Sequence, residues 1–253
     1  MSDPGSYETL DLSMSDGVAT VLLNRPQSRN AISRRMRTEL LDAFTSLAED
    51  NGVSVVVVAG RGRAFCAGAD LGEPDPPPTE RLLMDGYLPV FQRILAMDKP
   101  VISAVSGIAA GIGMSLALAC DLTIMAEDAS FWAPFTRIGL IPDGGLTWLL
   151  TRQLGYRGAY AVAIQADRIP ARRALELGLA HRIVPADELL ARATGWAHEL
   201  AAGSPQVQRH LKRLTQLAAH SDFETVFAAE ARAQAECGES EFFLRARAEF
   251  LKS

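Results

Sequence analysis

Three short runs constrain this chain more than anything else in it. "VSVVVVAG" (53–60), "KPVISAVSG" (99–107) and "CDLTIMAE" (120–127) are apolar or β-branched almost throughout. Runs this short and this unbroken are strands covered on both faces. Between and around them lie segments of helical periodicity. In "SRRMRTELLDAFTSLAEDNG" (33–52), Met36, Leu40, Leu41, Phe44 and Leu47 recur at helical spacing, Ser33 is placed to cap the start and Gly52 to close the end. Buried strands alternating with helices pair in parallel, so the chain belongs to the α/β class. Ahead of them, "YETLDLSMSDGVATVLLNRP" holds two alternating runs about Ser15-Asp16-Gly17, a hairpin signal.

Further along, "EPDPPPTE" (73–80) carries four prolines and reads as a loop. A helix is predicted from about Glu80 to Met97, interrupted near Pro89, and another begins near Gly111. Pro142 and Gly144-Gly145 precede "LTWLLTRQLG", a helix predicted to end at Gly155. From Tyr156 the chain reads as almost wholly helical, with "AHRIVP" (180–185) as its one strand-like piece. Apolar spacing in "FETVFAAEARAQAE" and "EFFLRARAEFL" predicts helices that pack on a partner surface, another subunit for instance. The expected organisation is a β/α core over 1–200 and a helical region over 201–253.

A chain of 253 residues with a net charge of −5 buries a sizeable core and offers no basic stripe. Nucleic acid is therefore excluded as a main partner, while an anionic small molecule held by a local Arg cluster is compatible. The three cysteines are far apart, which implies neither a disulfide framework nor a zinc site, and Asp, Glu and His do not cluster at ligand spacing, so no metal is implied. "MSDPGSYETL" lacks the basic and apolar parts of a secretory leader, and no apolar run reaches the roughly 18 residues of a membrane span. The expected setting is a reducing cytoplasm, with no membrane.

Three loops are placed for chemistry: "GRGRAFCAGADL" (60–71), "SGIAAGIG" (106–113) and "FWAPFTRIGLIPDGG" (131–145). The first two follow buried strands, and ligands bind beyond the carboxyl ends of such strands. Small residues around Gly68 and Gly111 either make plain tight turns or leave backbone N–H groups free to converge on one oxygen. Two such donors form an oxyanion hole, which needs no particular side chain.

Together, "LNRPQSRNAIS" (23–33), "GRAFCAGADL" (62–71), "KPVISAVSGIAAGIGMSLALACDLTIMAEDASF" (99–131) and "IGLIPDGGLTWLL" (138–150) resemble the crotonase, or enoyl-CoA hydratase/isomerase, family over nearly the whole chain. The resemblance implies a crotonase-like ββα spiral core, a helical C-terminal part that trimerises, and an acyl-CoA thioester substrate whose coenzyme A is part of the substrate. A homotrimer or a dimer of trimers follows from it. It also implies that a thioester enolate is held by the N–H groups of Ala69 and Ile112, the latter standing where glycine is common. Arg25 and Arg29 would border the CoA nucleotide. Ala31, Ala67, Ala69 and Leu71 would flank adenine and pantetheine through their backbone, beside Gly68 and Gly111, and the proline-rich loop (73–80) and the aromatic segment 131–135, Phe135 included, would shape the acyl pocket. Asp70 would fix its loop.

Hydratases of the family carry two glutamates, at the positions of Ser115 and Phe135 here. Neither carboxylate is present, and each proton-transfer partner is typically worth about 10²–10⁴-fold. Asp143, in "IGLIPDGG", resembles the aspartate of isomerases of the phenylacetate-pathway type, which implies that it is the base that shifts a double bond. Burial by Phe131, Trp132, Phe135 and Trp148 would raise its pKa. The competing reading makes Asp143 the N-cap of the next helix, with a lowered pKa. Ser115 either touches substrate or water or caps a helix turn. Hydration through Ser115 and Asp143 together, and an acyl-CoA-binding protein without catalysis, are the alternatives. A dinucleotide-binding dehydrogenase and a serine hydrolase lack their motifs.

Overall fold

The computed structural model describes residues 7–74 and 76–251. The leader reading at the N-terminus lies mostly outside them, as does Asp75 of the proline-rich loop. The hairpin forms where Asp-Gly predicts it. β1 (Leu10–Ser15) and β2 (Val18–Leu23) pair antiparallel. Asp16 and Gly17 turn with φ of 48° and 78°, the doubly left-handed geometry of a two-residue connection.

The chain then crosses over through α1 (Arg34–Glu49) to β3 (Val55–Gly60), parallel to β2. Ser33 Oγ accepts from Met36 N–H at 3.2 Å, as its capping position predicts, but the helix stops at Asp50, ahead of Gly52. Thr79–Arg81 (α2), a wide π turn over Leu82–Tyr87 and α3 (Leu88–Ala96) form the segment expected to be interrupted near Pro89. The irregularity falls just before that proline, which sits in the first turn of α3, where its missing N–H costs nothing.

β4 (Val101–Val105) extends the sheet; β5 (Ile108–Ala110) leaves it; α4 (Ile112–Ala119) returns to β6 (Leu122–Ala126). With β9 (Arg182–Val184) the six strands run β1-β2-β3-β4-β6-β9, parallel from β2 onward. Val55 to Val58 have no exposed surface, which is why this run carries no alternation. α7 (Leu189–Ala201) lies across β2, β3, β4 and β6.

A second sheet joins β5, β7 (Ser130–Trp132) and β8 (Arg168–Pro170). β8 corrects the expectation that "AHRIVP" is the one strand after residue 156. It is three residues long, only Ile169 is buried, and it ends in proline, so no periodicity announces it. Gly155 does break its helix, with φ 67° and ψ 174°, yet α5 (Leu146–Gln165) resumes beyond it. α6 (Ala171–Glu176) precedes β9.

α8 (Pro205–Ala218) follows α7 after a short connection. Lys212 pins α8 to the core through Asp121 at 2.7 Å and the carbonyls of Ile94 and Lys99. α9 (Phe223–Gly238) packs on α8 and α10 (Glu241–Phe250) on α9.

Candidate active site

The loops after β3 and β4 lie side by side. Cys66 N–H donates to Ile108 O at 3.1 Å, and Ala110 N–H to Cys66 O at 2.9 Å. Glycine makes this approach possible. A Cβ on Gly113 would sit 2.5 Å from Cys66 O, and one on Gly68 (φ 108°) would sit 3.0 Å from Ala110 O. Cys66 itself is fully buried, and burial pushes its thiol up to about 12, which removes it as a nucleophile.

Ala69 and Ile112 emerge from these two loops. Ile32 N–H donates to Gly68 O at 2.8 Å and Asp70 N–H to Ile32 O at 3.2 Å, which holds the chain on both sides of Ala69. Ile112 begins α4 after Gly111 (φ 54°). Its N–H is one of the donors that a helix start leaves without an internal acceptor, at the end where the helix dipole favours negative charge. Among the described residues, neither the Ala69 nor the Ile112 N–H has a backbone acceptor.

Asp143 lies beside the first turns of α4, next to Ser115 and, through Gly144, to Ile112. The N-cap of α5 is Gly145, with no side-chain cap, so the capping alternative for Asp143 is overturned. Its Oδ1 is buried and has no hydrogen-bond partner. Burial raises its pKa from 3.8 to about 6, with its own backbone N–H pulling weakly the other way. Ser115 is wholly buried, and its hydroxyl donates to the Asp143 carbonyl at 3.0 Å. It therefore anchors the Asp143 loop to α4 and has no surface for a ligand. Gly144 completes that seam: a Cβ there would meet Ile112 Cγ1 at 2.6 Å and Ser115 Cβ at 3.0 Å.

The aromatic surroundings differ in part from expectation. Phe135 is buried, and its ring tip would lie 3.8 Å from a Cβ on Gly111. Phe131 belongs to the core. Trp132 turns away, since its Nε1–H donates to Ala166 O at 2.9 Å and Arg137 and Arg168 lie over its ring. An apolar cavity of about 360 Å³ opens instead between α3, the turn before it and the start of α5, lined by Tyr87, Phe91, Gly144, Trp148 and further apolar residues. Among the described residues, none of the proline-rich loop lines it; Glu73 of that loop pairs with Arg37 at 3.2 Å.

Arg25 faces its own loop. Its Nη1 is committed to Asp70 and to the Ala31 carbonyl, both at 2.7 Å. That contact holds the Asp70 carboxyl below the usual range and ties Ala31 to the loop that carries Ala69. Arg29, in a left-handed conformation (φ 51°), borders a separate hollow of about 310 Å³ with Arg63 and Arg168. Ala67 N–H donates to Arg29 O at 2.9 Å, and Leu71 is 88% exposed at the loop edge.

Two supporting groups had no signal in the sequence. Tyr87 OH donates to Ile32 O at 3.3 Å, and the centre of its ring lies 4.9 Å from the Arg37 guanidinium. The buried Asn30 side chain donates to Arg61 O and Ala64 O at 3.0 and 2.8 Å. Both brace the Ala69 loop across thirty or more residues of sequence, where no local pattern reports them.

The model of a family described as enoyl-CoA hydratase/isomerase matches residues 13–252. A Rhodobacter capsulatus protein under the name "Probable enoyl-CoA hydratase" is 37% identical over 249 residues, 98% of this chain and 96% of its own. The 1,2-epoxyphenylacetyl-CoA isomerase of Escherichia coli is 36% identical over 195 residues, 73% of each chain. The crystal structure of an enoyl-CoA hydratase from Bacillus anthracis superposes with a TM-score of 0.91 at 29% identity, covering 97% of this chain and 96% of that one.

Proposed function

The chain belongs to the enoyl-CoA hydratase/isomerase family, with its crotonase fold, and we propose that within it this protein shifts a double bond in an enoyl-CoA thioester. One observation carries the reading: Asp143 has a buried, unpartnered carboxyl oxygen, and burial raises its pKa to about 6, while Ser115 and Phe135 occupy the positions to which the resemblance assigns the hydratase glutamates. The Asp143 carboxylate takes a proton from the α carbon of a 3-enoyl thioester. The electron pair moves onto the thioester oxygen, and the N–H groups of Ala69 and Ile112 hold that charge. The Asp143 carboxylic acid returns the proton at the γ carbon, which leaves the 2-enoyl isomer and the original carboxylate. Coenzyme A enters only as part of the substrate.

Hydration needs a second group to position or activate water. Ser115, buried and bonded to the Asp143 carbonyl, does not supply it. The wholly exposed α10, together with Phe223 and Phe227 of α9 at 79% and 60% exposure, supports faces covered by other copies of the chain in a trimer or a dimer of trimers. The three free thiols accord with a cytoplasmic setting.

The test is incubation with a 3-enoyl-CoA in D2O, followed by separation and mass spectrometry. Conversion to the 2-enoyl isomer, with deuterium entering when the acid exchanges before return, is expected. Gain of one water would replace this reading with hydration, and a bound but unchanged thioester would replace it with binding alone. The base must be ionised, so kcat/KM is expected to fall as pH drops through about 6 and to level off above it. A pH–rate profile flat across that value would remove Asp143 from the proton transfer.

A further inference from the structure

Two hollows flank the first turn of α5, and they differ in chemistry. One is the apolar cavity of about 360 Å³ that adjoins Gly144, walled by Leu83, Met84, Tyr87, Leu88 and Phe91. Among the described residues, no charged side chain lines it. The other, about 550 Å³, includes Asp121, Arg152, Gln153, His181 and Thr215. Trp148 and Leu149 line both, so the indole and this leucine side chain stand between them.

The indole is held in place from the second hollow. The Arg152 guanidinium lies 4.4 Å from its centre, and the His220 ring stacks on it at 6.2 Å. Arg152 Nη1 and His220 Nε2 are themselves 3.0 Å apart. A cation and a second ring against the indole keep Trp148 from swinging away. The indole is therefore braced from one side, in part by a residue that follows α8.

We infer that Trp148 sets the length limit of the acyl group by closing the apolar cavity against the polar hollow behind it. The inference rests on the proposed function, with the acyl group of the thioester taken up by this apolar cavity because its lining reaches Gly144, the neighbour of Asp143. An acyl chain gains affinity with each methylene it buries, by about fourfold for full burial. The gain stops where the chain meets the indole. With the indole removed, the two hollows join, and the chain runs on beside Leu149.

The experiment is calorimetric binding of saturated acyl-CoAs from butanoyl to hexadecanoyl, which needs no turnover. The wild-type protein is expected to show affinity rising with length and then a break. Trp148→Ala is expected to move the break to longer chains and to raise the hexadecanoyl-to-octanoyl affinity ratio by about tenfold or more. Trp148→Leu, which keeps apolar cover over a half-exposed site, is expected to do the same in smaller measure. Affinity for coenzyme A alone is expected to stay as in wild type in both variants. A break at the same length in both variants overturns the inference. A wild-type ladder with no dependence on length overturns it together with the acyl role of the cavity. Failure to isomerise a 3-enoyl-CoA overturns only the proposed function, because the saturated ladder reads the cavity and not the base.

Discussion

Asp143→Asn is expected to lower isomerase turnover by about 10²–10⁴-fold while acyl-CoA affinity stays within a few-fold of wild type. The substitution keeps the size and the plane of the side chain and removes only its capacity to take a proton. The Asp143 carbonyl still accepts from Ser115, so the loop stays in place. Stability offers an independent reading with a definite sign. The folded-state pKa is raised from 3.8 to about 6 because burial disfavours the charged form. The wild-type fold therefore has its full share of stability from this group below about pH 4 and loses it as pH rises through about 6. Asparagine carries no such loss. The variant is expected to melt above wild type at pH 8 and to converge with it near pH 4. Turnover equal to wild type would sink the assignment of the base, and a lower melting temperature at pH 8 would give Asp143 a structural role instead.

Much of this site was legible because backbone geometry leaves marks on sequence. The strand runs, the Asp-Gly turn and the glycines at 68, 111 and 113 each answer to a constraint that few residues meet, and they lie where expected. Side-chain pairings leave weaker marks. Arg25 reads as a phosphate ligand or a solvated arginine, and nothing local announces its 2.7 Å contact with Asp70. Ser115 reads as a ligand group until its burial is known. Trp132 follows Phe131 in the aromatic segment, yet its indole faces Ala166, far along the chain. Asp143 stays open between N-cap and base in the sequence, which does not say where the next helix begins. The structure puts Gly145 at the cap and leaves the carboxyl oxygen unpartnered.

The oxyanion donors are backbone groups, so no side-chain deletion removes them, and their test is a wedge. Gly113→Ala is expected to cost about 1–3 kcal/mol of stability and to lower turnover by about 10²–10³-fold. The added Cβ would lie 2.5 Å from Cys66 O and 2.7 Å from Cys66 Sγ. The near atom is backbone in a loop that β5 holds by hydrogen bonds to both the N–H and the carbonyl of Cys66, so it cannot turn aside as a flexible side chain would. Relief requires the loop of Ala69 and the start of α4 to part, which spreads the Ala69 and Ile112 N–H groups. The gain in helix propensity from glycine to alanine, about 1 kcal/mol, works against the strain and isolates it. Gly195→Ala in α7, exposed and with nothing within 4 Å of the new Cβ, is the control; it is expected to stabilise by about 0.5–1 kcal/mol and to leave turnover alone. Thermal unfolding and kcat, measured on both variants well below their melting temperatures, separate the effects. Full turnover in a folded Gly113→Ala protein would mean that the charge on the thioester oxygen is held by groups other than these two.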